Sequence, residues 1–458
     1  MGRKVSEGEE WEACKDGVLL MDMDTHSREL VGRLVRKLDS YQSKNREKLA
    51  AYEGKRVAQI AGVRVTKKLR SLAVRVGWPR TVVDVLEERL DFLGWEADPS
   101  FGLDSVYARN TLGAEASLVH TDSLIYGVGF VLVGVDNDGD VQVTAQSPFT
   151  TTGLWDGQKR RLEAGLSRDG DMLALYEPDR TTYMQVDANG SITVVDVNAH
   201  RLGRVPLVMF PNRVRGSRSW GQSEITPMVL DLSDEASRTL LDMAVHRTFH
   251  ASPQRYVIAN IDEQDFKDSA AGWRALTSEV WGMQANPDEV RIGELNGVTP
   301  SPFTAELAQL VELLAAEAGI PVSYLGVTSA NPSSADAIRA GEARLVKRAE
   351  RHQSNFGASW LEVARLALLC RDGALPDGVE SVHVVWRDAA TPTRAAAADE
   401  VTKLVGANIL PATSSITLSR LGFTPSQQAT LARERENAPA DGLALLADAV
   451  GRQAVSSD

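Results

Sequence analysis

The sequence predicts an α+β fold that is mainly helical, and two observations support this prediction. In the first half, apolar runs are separated by turns rich in Asp, Asn and Gly, at Asp136–Gly139 and Asp187–Gly190, which is typical of β-hairpins. In the second half, apolar residues recur every three or four positions over long stretches, which indicates amphipathic helices. At 458 residues, more than one sub-domain is expected.

The first half is predicted to mix helices with short antiparallel sheets. Residues 1–26 are polar and aperiodic, and we expect a flexible N-terminal arm there. Helical stripes begin near Ser27 and span Val82 to Leu93, and a further helix is expected over Asn110–Tyr126. The predicted strands are Phe130–Val135, Val141–Thr144, Tyr183–Val186, Ile192–Val197 and Leu207–Phe210.

Long helices dominate the prediction for the second half. They are Glu224–Phe249, Phe303–Ala318 and Ala335–Cys370, and the first two enclose a mixed segment with strands at Tyr256–Ile258 and Val290–Ile292. The third helix has a capping box, Ser333 with Asp336, and an apolar stripe formed by Ile338, Leu345, Ala349, Phe356, Trp360, Val363 and Ala367. After it we expect the strand Val382–Trp386 and the helices Ala395–Val405, Ser414–Leu421, Pro425–Glu436 and Leu443–Val450.

Composition limits the partners that this chain can have. Its formal net charge is −12, which is opposite to that of a protein that grips phosphates, so any DNA should be guided and not held tightly. The two cysteines, Cys14 and Cys370, favour free thiols in a reducing cytoplasm over a disulfide framework. The polar N-terminus does not resemble a signal peptide, and no apolar run approaches the ~20 residues that span a bilayer. We therefore expect a protein made in a cytoplasm, with no membrane partner.

Residues that resemble chemical motifs have simpler explanations. Asp136, Asp138 and Asp140 lack the Gly and Glu positions of a calcium loop, and a hairpin turn accounts for them. His246 and His250 are one helical turn apart but lack the Glu of a HEXXH zinc motif. The sequence contains no nucleophile-elbow, phosphate-loop or CxxC pattern. We therefore expect neither an enzyme nor a bound cofactor or metal, although a site assembled in space stays open.

A group of basic residues occupies the third long helix. Arg344, Lys347, Arg348 and Arg351 lie among Glu342 and Glu350. The spacing fits a salt-bridged, solvated face. It also fits a contact between subunits or with nucleic acid, and the sequence leaves both interpretations open.

Several segments resemble the portal proteins of long-tailed bacteriophages, the group typical of actinobacterial hosts. They are Tyr41–Ala61, Val82–Trp95, Arg109–Gly134, Leu202–Arg213 with its G-x-V-P strand and Pro-Asn turn, and Trp220–Ile258, which is the closest match. Tyr41–Ala61 departs from the sequence that is commoner in the family at this position, which is rich in aromatic residues and glycine. The resemblance rests on the shared order of these segments over roughly residues 28–440 more than on any single segment.

The resemblance implies the portal fold and assigns a region to each part of the chain. After the arm, the expected regions are a wing at 27–222, a first stem helix at 223–253, a clip at 254–300, a second stem helix at 301–325, a tunnel loop at 326–334, a long wing helix with its returning strand at 335–390, and a crown with the C-terminal tail at 391–458.

The resemblance also implies a function. Such a protein forms a closed ring of about twelve copies at one capsid vertex. The ring is the channel for genome packaging and ejection, and it docks terminase and then head-tail adaptor proteins. It is assembled in the host cytoplasm, contacts the major capsid protein and becomes part of the virion. Double-stranded DNA passes through it without sequence recognition, and the sequence does not say whether a scaffold protein is needed.

Particular residues follow from these expected regions. The small polar residues of the tunnel loop should face the channel; they are Thr328, Ser329, Asn331, Ser333 and Ser334. Trp273 and Trp281, in the clip, are candidates for packing between subunits, because aromatic residues are enriched at interfaces. Two alternatives remain: another phage head or adaptor protein, and an enzyme with a spatially assembled site.

Overall fold

The fold is described by a computed structural model. It covers residues 12–13, 19–20, 24–56, 74–136, 138–250, 254–259, 290–295, 300–326, 335–390, 394–423 and 425–437. Helices and strands alternate in the first half and helices dominate the second, which confirms the predicted α+β, mainly helical class. In the part of the chain so described, no helix is both long and apolar enough to cross a membrane.

The first half contains short helices and most of the strands. In chain order the elements are β1 (Glu12–Ala13), β2 (Leu19–Leu20), α1 (Thr25–Tyr52), α2 (Trp78–Glu87), β3 (Phe92–Glu96), α3 (Leu103–Arg109), α4 (Leu112–Tyr126), β4 (Val128–Val135), β5 (Val141–Gln146), β6 (Thr151–Asp156), β7 (Arg161–Asp169), β8 (Met172–Tyr176), β9 (Thr181–Val186), β10 (Ile192–Asn198) and β11 (Leu207–Pro211).

The second half contains the long helices. Its elements are α5 (Pro227–His250), β12 (Gln254–Ala259), β13 (Val290–Leu295), α6 (Ser301–Ala318), α7 (Ala335–Asp372), β14 (His383–Trp386), α8 (Arg394–Gly406), α9 (Ser415–Arg420) and α10 (Pro425–Asn437). The hairpins β4–β5 and β9–β10 and the three long helices agree with the sequence prediction, with ends shifted by a few residues.

Two stacked antiparallel sheets form the body of the first half. The larger sheet has the strand order β10-β9-β8-β7-β6, and α1 covers one of its faces with a buried stripe of Leu30, Val31, Leu34 and Leu38. The smaller sheet has the order β11-β4-β5. Because side chains alternate along a strand, one face of the smaller sheet packs on the larger sheet and the other face packs under α4 and α7.

An aromatic cluster lies between α4, α7 and the strand pair β3–β14. The indole of Trp360 is fully buried, stacks on Phe92 with ring centroids 4.3 Å apart, and donates a hydrogen bond from Nε1 to His120 Nε2 over 3.0 Å. His120 in turn stacks on Phe356, with centroids 4.9 Å apart. Burial lowers the pKa of His120 to about 3, so its ring is neutral and accepts the indole N–H.

Three sequence predictions were wrong in detail, for physical reasons. The stripe over Val82–Leu93 is not one helix, because α2 ends at Glu87 and Leu93 lies in β3, whose partner β14 is far away in sequence. Strands β6 to β8 were not predicted, because most of β8 and the first half of β6 are buried on both faces and only the first residues of β7 alternate between exposed and buried. Ile338 is 54% exposed, so the buried stripe of α7 excludes it.

The aromatic cluster yields a stability prediction. Phe356→Ala removes a fully buried ring beneath α7 and should lower the free energy of unfolding by about 3–5 kcal/mol. Phe423→Ala is the matched control, because that ring is 38% exposed, and it should cost less than ~1 kcal/mol. Urea unfolding at one protein concentration measures both values. Equal losses for the two variants would contradict the position assigned to this cluster.

Candidate functional site

Two antiparallel helices, α5 and α6, lead away from the sheets and return. The start of α5 meets the end of α6, where the Thr226 hydroxyl lies 3.3 Å from the Glu317 carboxylate. The end of α5 meets the start of α6, where the rings of His246 and Phe303 are 5.6 Å apart. Beyond that end, β12 and β13 pair as an antiparallel ribbon. The chain therefore runs out along α5, passes through the ribbon and comes back along α6.

The surface of this helical pair is acidic. Helix α6 contains three glutamates, Glu306, Glu312 and Glu317, and no lysine or arginine. Helix α5 contains four carboxylates against two arginines. One of its carboxylates, Asp234, is paired with Arg56 of the segment after α1 at 2.5 Å. Glu306 and Glu312 are exposed, so α6 presents negative charge on its surface.

The base of the helical pair contains a buried ionic cluster around Glu224, whose side chain is only 1% exposed. One carboxylate oxygen accepts a hydrogen bond from Arg348 Nη2 at 2.6 Å. The other oxygen lies 3.2 Å from His352 Nε2 and accepts from Asn212 Nδ2 at 3.0 Å. Arg213 Nη1 is 3.5 Å away. These contacts join the end of β11, the segment before α5, and α7.

The charge state of this cluster follows from its contacts. Burial alone would raise the pKa of Glu224, but its hydrogen bond to His352 and the guanidinium groups of Arg348 and Arg213 lower it to about 2. His352 Nδ1 faces the Arg348 carbonyl at 2.7 Å and Nε2 faces the Glu224 carboxylate. Both ring nitrogens of His352 therefore face oxygen atoms that can accept hydrogen bonds.

Close backbone packing places Glu224. The Asn212 amide donates to the Gly127 carbonyl at 2.9 Å, and the Glu224 amide donates to the Leu124 carbonyl at 2.8 Å. Gly221 has φ +78°, and a Cβ added there would lie 2.1 Å from the Gly127 carbonyl oxygen. Only glycine allows this approach. The segment before α5 is therefore held against the end of α4.

The basic residues of α7 do not form one surface. Arg348 is directed inward to Glu224. Arg344 Nη1 donates to the Ala316 carbonyl at 2.8 Å, near the C-terminal end of α6. A positive charge is favourable there, because the C-terminal end of a helix dipole is negative. Lys347 is exposed and pairs with Glu350 at 2.7 Å, and Arg351 is exposed. The salt-bridged interpretation fits Arg348 and Lys347, while a contact between subunits or with DNA stays a prediction for Lys347 and Arg351.

The remaining predicted site residues lie outside the described part of the chain. These are Thr328, Ser329, Asn331, Ser333 and Ser334 of the loop, Ser333 of the capping box, and Trp273 and Trp281. The residues at the centre of the ionic cluster, Glu224, His352 and Asn212, were not predicted as a site. The sequence shows the Pro-Asn turn that contains Asn212 and the position of Glu224 just before a predicted helix. It does not show that both residues contact α7.

Two patterns that resemble metal sites can be checked directly. The Asp136 carboxylate accepts from the amides of Asp138 and Asp140, at 3.0 and 2.9 Å, as in a hairpin turn. His246 lies beside Phe303. Over the described residues, no group of three or more His, Cys, Asp or Glu side chains could hold a metal ion.

Known proteins resemble this chain over most of its length. The sequence profile of the family "Phage portal protein, SPP1 Gp6-like" matches residues 84–438. The chain belongs to the phage portal protein family. The portal protein of Mycobacterium phage D29 is 30% identical over 424 residues, which cover 88% of this chain and 87% of that protein. The portal protein of Mycobacterium phage L5 is 30% identical over 418 residues, with coverages of 86% and 85%.

Membership of the portal family makes this chain a bacteriophage head protein, and the family is a structural one. Among solved structures, the neck of a native gene transfer agent particle, computed with C12 symmetry, aligns over 83% of this chain and 99% of its own, at 13% identity and a TM-score of 0.47.

The cluster at Glu224 yields a mutational prediction. Glu224→Gln removes the buried carboxylate that Arg348 and His352 contact and leaves the Arg348 guanidinium without this countercharge, so the free energy of unfolding should fall by about 3–5 kcal/mol. Glu235→Gln is the control, because its pair with Arg238 at 3.0 Å is solvent-accessible and contributes ~1 kcal/mol or less. Chemical unfolding of both variants measures the difference. A loss at Glu224 as small as that at Glu235 would show that the cluster is not a structural anchor.

The same carboxylate predicts an acid-dependent loss of stability. The pKa of Glu224 in the folded chain is about 2, below the ~4.3 of an unfolded glutamate. Its contribution is therefore complete above the unfolded pKa and is lost as pH falls through the folded pKa, a change on the order of 3 kcal/mol. Unfolding free energies measured between pH 6 and about 2.5 should decline less steeply for Glu224→Gln than for the unmodified chain. Parallel slopes would contradict this.

Proposed function

We propose that copies of this chain form the portal ring at one vertex of a phage head, through which the genome is packaged and ejected. The observation that carries the proposal is the family match over residues 84–438, which includes the antiparallel helical pair and the α7 helix behind it. About twelve copies, related by rotation and joined head to tail, would close such a ring. The chain itself needs no catalytic group for this role, because the work of packaging comes from a separate motor.

The helical pair is the part we assign to the channel wall. Glu306 and Glu312 are exposed on α6, and no lysine or arginine of that helix offsets them. A negatively charged wall repels the negatively charged phosphates of DNA. Duplex DNA can therefore slide along the wall without being held at one position by a deep minimum in interaction energy. The net charge of −12 supports the same conclusion for the whole chain.

Partners are assigned to regions by family likeness. We propose that residues 254–300, which contain Trp273 and Trp281, form the clip that docks terminase and later the head-tail adaptor proteins. We propose that residues 326–334 form the tunnel loop, whose hydroxyl and amide side chains touch DNA without charge. The boundaries of wing, stem, clip and crown belong to this proposal, as do the capsid contact and assembly in the host cytoplasm.

The ring itself is tested by mass. Native mass spectrometry of the purified chain at micromolar concentration should give a complex of about twelve copies, because the family resemblance and closed rotational symmetry both favour a ring. A chain carrying Glu224→Gln serves as a comparison for misfolding. A population made only of monomers and dimers from correctly folded protein would overturn the proposal.

The acidic wall is tested by charge reversal. Glu306→Lys with Glu312→Lys should leave ring mass unchanged, because both side chains are exposed, but should reduce packaged genomes at least tenfold by holding phosphates in the channel. Glu163→Lys with Glu380→Lys makes the same charge change at exposed positions outside the pair. Genome-filled heads, counted by electron microscopy, measure the effect. Equal packaging by the two variants would contradict a channel role for α6.

A further inference from the structure

A short helical turn, Val322–Leu325, follows α6 and carries a tyrosine with two polar partners. The hydroxyl of Tyr324 donates to Glu342 Oε1 of α7 at 2.5 Å. The same hydroxyl accepts from Arg89 Nη2 at 3.0 Å, and this nitrogen also lies 3.4 Å from Glu342 Oε2. Three side chains from distant parts of the sequence therefore meet at one point.

Arg89 is held on its other side by the body of the protein. Its side chain is 7% exposed, and Nη1 donates to the Ala389 carbonyl, in the segment after β14, at 2.6 Å. Its own carbonyl accepts from Gln353 Nε2 of α7 at 3.0 Å, and that nitrogen also donates to the Arg387 carbonyl at 3.0 Å. A guanidinium presents its N–H groups in a fixed fork, so one arginine can hold two acceptors at a set separation. Arg89 therefore joins the Tyr324 hydroxyl to a buried backbone group.

The protonation state of Tyr324 suits both of its contacts. Burial raises the pKa of Tyr324 above its usual value, and the hydrogen bond to the Glu342 carboxylate raises it further, so the phenol keeps its proton at neutral pH. The protonated phenol donates to the carboxylate and accepts from the guanidinium. Each of the three groups therefore has a partner of the matching kind, and the hydrogen bonds to charged groups are the stronger ones.

Beyond this contact the described residues on both sides become exposed. On α7, Glu342 lies about two helical turns after the start of the helix, and residues 338–341 are exposed. On the other side, Val322 and Leu325 pack against the core, but Gly326 is exposed. The contact between Tyr324, Glu342 and Arg89 therefore lies where the chain leaves the body and where it returns.

The same contact lies at the base of the proposed tunnel loop. Residues 327–334 connect Gly326, two residues after Tyr324, to Ala335, seven residues before Glu342. The hydrogen bond from Tyr324 to Glu342 therefore joins the two sides between which the loop is connected. Fixing both sides reduces the number of positions that a loop can take.

We propose that Arg89 is a positioning residue that holds Tyr324 and Glu342 together and so fixes the base from which residues 327–334 reach the channel. This inference rests on the proposed function, because it needs a portal channel for the loop to reach. Arg89 acts through Tyr324 and Glu342, and it needs no contact with DNA. The Ala389 carbonyl anchors the guanidinium to the body.

Hydrogen exchange measures the contact in the assembled protein. Tyr324→Phe removes one hydroxyl and keeps the ring, so the chain should fold. The backbone amides of Tyr324 and Gly326 should then exchange about tenfold faster, because a hydrogen bond to a charged group is lost at the base of the loop. Tyr52→Phe is the matched control, because it removes a hydroxyl that donates to Asp84 at 2.8 Å in another part of the fold. The control should leave exchange at Tyr324 and Gly326 unchanged.

A double-mutant cycle tests whether Arg89 acts through Tyr324. Arg89→Lys keeps the positive charge but lacks the fork that reaches both Ala389 and Tyr324. Alone, it should speed exchange at Tyr324 and Gly326 about as much as Tyr324→Phe does. The double variant should exchange little faster than either single variant, because both remove the same contact. Effects that multiply would show that the two residues act independently and would overturn the inference.

Genome packaging tests the consequence of the contact. Arg89→Lys and Tyr324→Phe should each leave the ring mass unchanged but reduce genome-filled heads by about tenfold, because a loop without a fixed base occupies its working position less often. Tyr52→Phe should package normally. Electron microscopy of the heads counts the filled ones, and native mass spectrometry gives the ring mass.

The outcomes separate this inference from the proposed function. Unchanged exchange in Tyr324→Phe would overturn the contact itself, and faster exchange with normal packaging would overturn its positioning role. Rings of Tyr324→Phe that package no better and no worse than those of Tyr52→Phe would have the same meaning. Failure of the unmodified chain to form rings would overturn the proposed function and, with it, the role of the contact in a channel.

Discussion

The ionic cluster at Glu224 is the constraint on which the arrangement of the long helices depends. A carboxylate that is 1% exposed costs several kcal/mol to desolvate, and it is tolerated only where its lone pairs are satisfied. Arg348 and His352 of α7 and Asn212 after β11 satisfy them. Because Glu224 lies three residues before α5, the same contacts fix the point at which the helical pair leaves the sheets. The buried charge of Glu224 thus sets the direction in which the acidic helices α5 and α6 leave the sheets.

The rest of the body is densely packed around that point. The neutral His120 ring joins α4 to α7 through Trp360 and Phe356, and the two sheets pack face to face below them. Both edges of the smaller sheet are covered. Asn110 and Glu115 cap the edge at β5, and α7 packs on the edge at β11, where the Ser359 hydroxyl donates to the Met209 carbonyl.

Sequence reasoning predicted the elements whose signals are local. The hairpin turn at Asp136 and the stripes of α6 and α7 are examples, because turn chemistry and helical period are both visible within a few residues. It did not predict β3, because the residues that pair with Phe92 and Trp95 lie in the distant strand β14. It also did not predict that the Arg348 side chain is directed inward to Glu224. Both depend on contacts between residues far apart in the chain. The family resemblance supplied the function, which no local motif indicates.

We propose that α6 of each copy faces the axis of a closed ring. An electron cryomicroscopy reconstruction of the purified assembly measures this directly. We expect rotational symmetry, a central channel wide enough for duplex DNA, and Glu306 and Glu312 on its wall, with the Glu224 cluster intact inside each subunit. A compact oligomer without a channel, or a ring whose α6 helices face outward, would contradict it.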